Sequence, residues 1–171
     1  MYMRSIAALC VLASAVFPAA LAASFSAGID ITEEVAPEKT GMRVYPGAVM
    51  ATKKKGDDNS ADIQFVFGDY GLKVVAAKLR STDSPGKVAD FYRDELAQFG
   101  KVLDCADPGV AETKRVADEK SKMLTCEGDK PRKNGMLYKA GRKNDQHVVE
   151  IKPNGNGSEF SLVHVKVRSP D

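Results

Sequence analysis

The chain is 171 residues long, with 25 Lys and Arg against 23 Asp and Glu, 3 cysteines and no tryptophan. That length suits one domain of ordinary size. A formal net charge of +2 supplies no field that would hold nucleic acid or an anionic membrane, so those partner classes are excluded on charge.

The N-terminus has the layout of a secretory signal peptide: Arg4, an apolar run from Ile6 to Phe17, and Ala20-Leu21-Ala22 as a small-x-small cleavage site. The run is short for a membrane span of ~20 residues and no stop-transfer sequence follows. Residues 1–22 are therefore expected to leave on export, with cleavage after Ala22 giving a periplasmic or secreted protein without a transmembrane anchor. Leu9 before Cys10 does not suit a lipoprotein anchor. Loss of the leader removes Arg4 and Cys10 and leaves 24 basic against 23 acidic side chains.

Residues 23–42 hold few large apolar side chains and are expected to form a flexible leader ahead of a single domain spanning 43–171. Tyr45-Pro46-Gly47-Ala48 signals a turn between short edge segments. Lys53, Lys54 and Lys55, followed by Gly56-Asp57-Asp58-Asn59, predict a solvated hairpin tip and a candidate interaction loop. The aspartates lack the spacing of a calcium loop, and the lysines lack the aromatic partners of a nucleic-acid surface.

Ile63, Phe65 and Phe67 alternate along a strand. It leads into Leu72–Leu79, which is apolar on both faces through its middle and predicts a central strand covered on both sides. Next comes the clearest element. Ser84 and Pro85 form an N-cap and first helical position, and Val88, Phe91, Tyr92, Leu96 and Phe99 make one apolar stripe ended by Gly100. A helix over about 85–99 follows, which must dock that stripe to be stable. Residues 102–105 read as a further strand, completing a β-α-β unit.

Cys105 and Cys126 are an even pair in an oxidising compartment and predict a disulfide. Each closes a strand-like run, so the bridge is expected to join neighbouring strands and to stabilise by ~3 kcal/mol. Without Cys-x-x-Cys spacing, nothing marks it as redox-active. Beyond it, residues 136–140 predict a short strand. Residues 146–152 and 160–168 predict a hairpin around the turn-rich stretch 153–159.

His147 and His164 are the only histidines, and both fall in this hairpin. With His147, Val149 and Ile151 on one strand and Val163, Val165 and Val167 on the other taken as the apolar faces, odd positions match odd. That register puts the two histidines on opposite faces of the sheet and denies them a shared site. No nucleophile elbow, phosphate loop, dinucleotide fingerprint or zinc-protease motif is present, so no catalytic, cofactor-binding or metal residue is nominated and no cofactor is expected.

Tyr45-Pro46-Gly47-Ala48, Asp83-Ser84-Pro85 and the helix Val88-Ala89-Asp90-Phe91-Tyr92-Arg93-Asp94-Glu95-Leu96 with Gly100 resemble a loose group of small secreted bacterial proteins with a Tyr-Pro-Gly-Ala turn. The resemblance covers residues 44–105 and implies a bacterial envelope setting without any activity. The fold expected is α+β: an antiparallel-rich sheet of six or seven strands, in the order β-β-α-β-β-β-β, with one main helix on a face. A non-enzymatic exported domain binding a protein or envelope partner suits an intact fold without chemistry. A hydrolase with carboxylates assembled by folding, or a small-ligand carrier lodged between helix and sheet, are the alternatives.

Overall fold

The computed structural model describes residues 27–52, 59–107, 109–110, 123–126 and 128–170. The expected signal peptide and the expected hairpin tip at Lys53–Lys55 lie outside the described residues.

Among the described residues, eight strands and the helix α1 follow one another: β1 (Ala27–Thr32), β2 (Val49–Met50), β3 (Ser60–Phe67), β4 (Tyr70–Ser81), α1 (Pro85–Ala97), β5 (Leu103–Asp104), β6 (Met136–Arg142), β7 (Asp145–Asn154) and β8 (Gly157–Arg168). They form one sheet in the order β1-β3-β4-β8-β7-β6-β5, with β2 pairing beside β4. Every pair is antiparallel. The α+β class is as the sequence predicts, but the chain order is β-β-β-β-α-β-β-β-β.

Of the two strands beyond the expected order, β1 corrects the flexible leader. Residues 27–32 pair with β3 along their whole length, and a 3-10 turn at Pro37–Thr40 follows. Val35, Thr40 and Met42 are buried. Few apolar residues are needed there, because β1 borrows its hydrogen bonds from β3 and Met42 alone reaches the main core.

The helix starts at Pro85 as predicted, yet Ser84 makes no side-chain cap bond. Val88, Ala89, Tyr92 and Leu96 are buried against Leu79, Val149, Ile151, Phe160 and Leu162. Each such aliphatic side chain is worth about 1.5–3 kcal/mol of burial. The helix lies over β6, β7 and β8 and carries the chain from β4 to the far edge, where β5 pairs with β6. The predicted β-α-β unit thus spans most of the sheet.

Glu95, also buried, anchors the segment before β2. Its carboxylate accepts the Arg43 backbone N–H at 2.9 Å and the Arg43 Nε–H at 2.6 Å, and Gln98 donates at 2.7 Å. Tyr92 Oη accepts the Tyr45 N–H at 3.1 Å. The predicted turn at Tyr45–Ala48 closes with Ala48 N–H donating to Tyr45 O at 3.0 Å.

The apolar side of the sheet changes over along β4 and β8. In β4, Val75, Ala77 and Leu79 face the helix and are buried, while Tyr70, Leu72, Val74 and Ala76 lie on the reverse face. In β8, Phe160, Leu162 and His164 pair with Leu79, Ala77 and Val75, whereas Val163, Val165 and Val167 pair with Ala76, Val74 and Leu72. Paired residues share a face. The two-faced character of residues 72–79 therefore reflects two offset apolar surfaces, one on each side. Only the first of them lies under the helix.

Candidate functional site

Two regions stand out, one on each side of the sheet. On the helix side, the β7–β8 register sets His147 directly opposite His164. This corrects the expected separation. The apolar residues of β8 that match His147, Val149 and Ile151 are Phe160 and Leu162, at even positions, and Val163, Val165 and Val167 serve the reverse face instead. Choosing the valines over the larger Phe160 and Leu162 shifts the register by one residue, which sends every side chain to the other face.

The His147 and His164 rings stack with centroids 4.3 Å apart, and Phe99, just past the helix, stacks on the far side of His147 at 3.6 Å. Asp145 lies two residues before His147 and so on the same face. His164 Nε2–H donates to Asp145 Oδ1 at 2.7 Å. Lys166 Nζ stands 3.7 Å from the other carboxylate oxygen. Asp145, His147 and His164 each offer a ligand atom within 4.8 Å of the others.

Two glycines make room for this arrangement. Gly41 has φ +78°, and a Cβ on it would meet His147 Nε2 at 3.3 Å. Gly141 has φ +112°, and a Cβ there would overlap the Asp145 carbonyl oxygen. Only glycine tolerates both demands without strain.

His147 is 6% exposed, and its Nδ1 has no hydrogen-bond partner among the described residues. Burial, with the neighbouring His164 adding to it and Asp145 opposing, pushes its pKa down to about 4. Burial alone would raise the Asp145 carboxyl. The His164 hydrogen bond and the charges of His164 and Lys166 outweigh it and hold the carboxyl below its ordinary value. Asp145 was not singled out by sequence, and Phe99 was read only as part of the helix stripe. The alternation Asp145-x-His147, read together with Phe160-x-Leu162-x-His164, carries the signal.

On the reverse face the region formed by β1, β3, residues 70–76 of β4 and 163–167 of β8 is apolar and uncharged, and Lys78, Arg80 and Glu159 lie further along the same face. Ile29 and Ile31 pair with Phe65 and Ile63, which pair in turn with Leu72 and Val74. Beyond those lie Val167 and Val165. Ile29 is 68% exposed and Phe65 41%. The helix side of the same strands carries Asp62, Gln64, Lys73 and Lys166.

The other end of the reverse face is covered. Cys105 and Cys126 are disulfide-bonded, Cα atoms 5.4 Å apart, and pack on Leu137 with Leu103 and Val148 around them. Cys126 lies outside any strand, so the bridge joins the sheet edge to a loop and not two neighbouring strands. Lys139, buried on that face, donates to Thr125 O at 3.1 Å and to Asp129 at 2.5 Å, fixing the loop in place.

Of the surface depressions, one of about 510 Å³ by Val35 and Met50 and one of about 190 Å³ by Phe65 and Leu72 lie away from the space between helix and sheet. Among the described residues no helix is long and apolar enough to cross a membrane. Comparison of the chain with protein-family models, with curated proteins and with solved structures finds no match.

Proposed function

We propose that the protein is an exported, non-enzymatic binding domain that docks a protein partner on the apolar reverse face of its sheet. One observation carries this: Ile29, Ile31, Phe65, Leu72, Val165 and Val167 form a continuous surface over four adjacent strands without a charged side chain. Contiguous apolar patches of this kind mark interaction sites. The exposed side chains there offer on the order of 600 Å², approaching the ~800 Å² per partner of a standard protein interface. A bilayer surface would call for a basic rim. The chain's near-balanced charge and the uncharged patch favour instead an apolar protein surface. The disulfide is compatible with an exported location.

The test is a photo-crosslinking residue at Ile31, with a control at Lys87 on the solvent side of α1, in the native envelope. A discrete protein adduct from position 31 alone, lost on Val165→Asp, is expected. An adduct of twice the chain's mass would make the partner a second copy and overturn a dedicated one. Lipid adducts alone, or none, would overturn docking.

A further inference from the structure

We propose that Asp145, His147 and His164 form a binding site for one divalent transition-metal ion of the zinc class. The inference uses residues on the opposite side of the sheet from the docking face and stands or falls apart from it.

Two imidazoles and one carboxylate are the donor set that Zn²⁺ takes at 2.0–2.2 Å, with three protein ligands leaving a fourth position for water. Tetrahedral coordination at those lengths puts donors about 3.3 Å apart. The three ligand atoms already lie within 4.8 Å of one another, so closing the set takes at most about 1.5 Å of approach and a tilt of the two stacked imidazoles towards a common point. The backbone fixes this convergence: Asp145 and His147 alternate on one strand, and His164 is the directly paired residue of the next. Residues at such positions are held by the ladder and not by loop conformation.

The second observation is independent of the cluster's composition. His147 Nδ1 is buried without a hydrogen-bond partner among the described residues, a state that native proteins rarely leave unexplained and that a bound ion can account for. The Nε2–H of His164 points at Asp145 Oδ1, so an ion taking both groups displaces that proton or uses the other ring nitrogen. Phe99 closes one side of the stack, whereas Asp145 is partly exposed and opens the site to solvent. One group opposes a cation, Lys166 beside Asp145. Its side chain is 62% exposed and has solvent to swing into.

Untagged protein, stripped with chelator, is titrated with Zn²⁺ by calorimetry and with Co²⁺ by visible absorption. One ion per chain, a rise in melting temperature and d–d bands of low-coordinate cobalt are expected. Asp145→Asn and His164→Asn should each weaken binding more than tenfold and abolish the cobalt bands. Asp145 is exposed enough that its variant keeps the fold if His164→Asn does not. Absent saturable binding in wild type, or equal affinity in the folded Asp145→Asn protein, the site does not exist, and Phe99, His147 and His164 form only a packed stack with Asp145 hydrogen-bonded at its edge.

Discussion

The two apolar surfaces of this sheet differ in what covers them, and the difference separates a face that stabilises the fold from one proposed for recognition. Beneath α1, Val149, Ile151, Phe160 and Leu162 are sealed from water and packed on Tyr92 and Leu96. On the reverse face Ile29, Ile31 and Phe65 are of the same chemical kind yet stay in solvent. Hydrophobic side chains stabilise the fold only where folding removes them from water. The exposed set contributes little to the folded state, and its burial free energy is what the proposed partner would draw on.

Truncation should show the contrast most strongly. Leu162→Ala under the helix is expected to cost about 2–5 kcal/mol, through lost transfer and a cavity, measured by urea denaturation. Phe65→Ser on the open face should change stability by about 0.5 kcal/mol or less while abolishing the crosslink at Ile31. Comparable losses at both positions would mean that the reverse face is already covered within the chain.

Next in size, Cys105→Ser or reduction should remove about 3 kcal/mol, from a loop whose ends are 21 residues apart. This loss belongs to the covered end of the reverse face, so it should leave partner crosslinking at the open end unchanged. A lost crosslink would mean that the two ends are coupled.

Glu95→Gln tests the polar clamp on the helix side. It replaces a carboxylate that accepts two bonds from Arg43 and should cost about 1.5–3 kcal/mol, the range for hydrogen bonds to a charged group. Burial acts to raise the Glu95 carboxyl, but the Arg43 and Gln98 hydrogen bonds prevail and hold it below its ordinary value. A depressed carboxyl contributes stability that is present above its unfolded pKa and is lost as pH falls through the folded one. Wild type should therefore lose the clamp in acid, whereas Glu95→Gln should lose less there.

A further helix-side effect is the titration of His147. Its folded pKa of about 4 lies below the 6.5 of an unfolded histidine. The unfolded chain thus binds the extra proton between those values, and stability, full above pH 6.5, declines as pH falls towards 4. Thermal melts in chelator over that window should show the decline in wild type and a weaker one in His147→Phe. A flat profile in both would place His147 in water.

Local chemistry made much of this legible. Pro85 and the stripe from Val88 to Leu96 define the helix because a 3.6-residue period and a proline at the first turn are properties of the segment itself. The pairing of Cys105 with Cys126 follows from counting. Tyr45–Ala48 forms its turn because the residues in it dictate the backbone. The β1 strand was not legible, since 27–32 becomes a strand only through the hydrogen bonds offered by β3. Nor was the histidine cluster: a period of two tells which residues share a face without telling which face is covered, and β8 has apolar residues on both. Its larger Phe160 and Leu162 were the better guide, for volume fills the space beneath a helix and three valines do not.

Sequence alone determined the amphipathic helix α1 and the cysteine pair, because each is read from the chain without its tertiary partners. The tertiary structure decided which side of each strand is buried, and with it the meeting of Asp145, His147 and His164 and the exposure of Ile29 and Phe65. Strand register is a choice between two faces one residue apart. Only the placement of α1 on one of them, and of the disulfide loop on part of the other, gives that choice an energy.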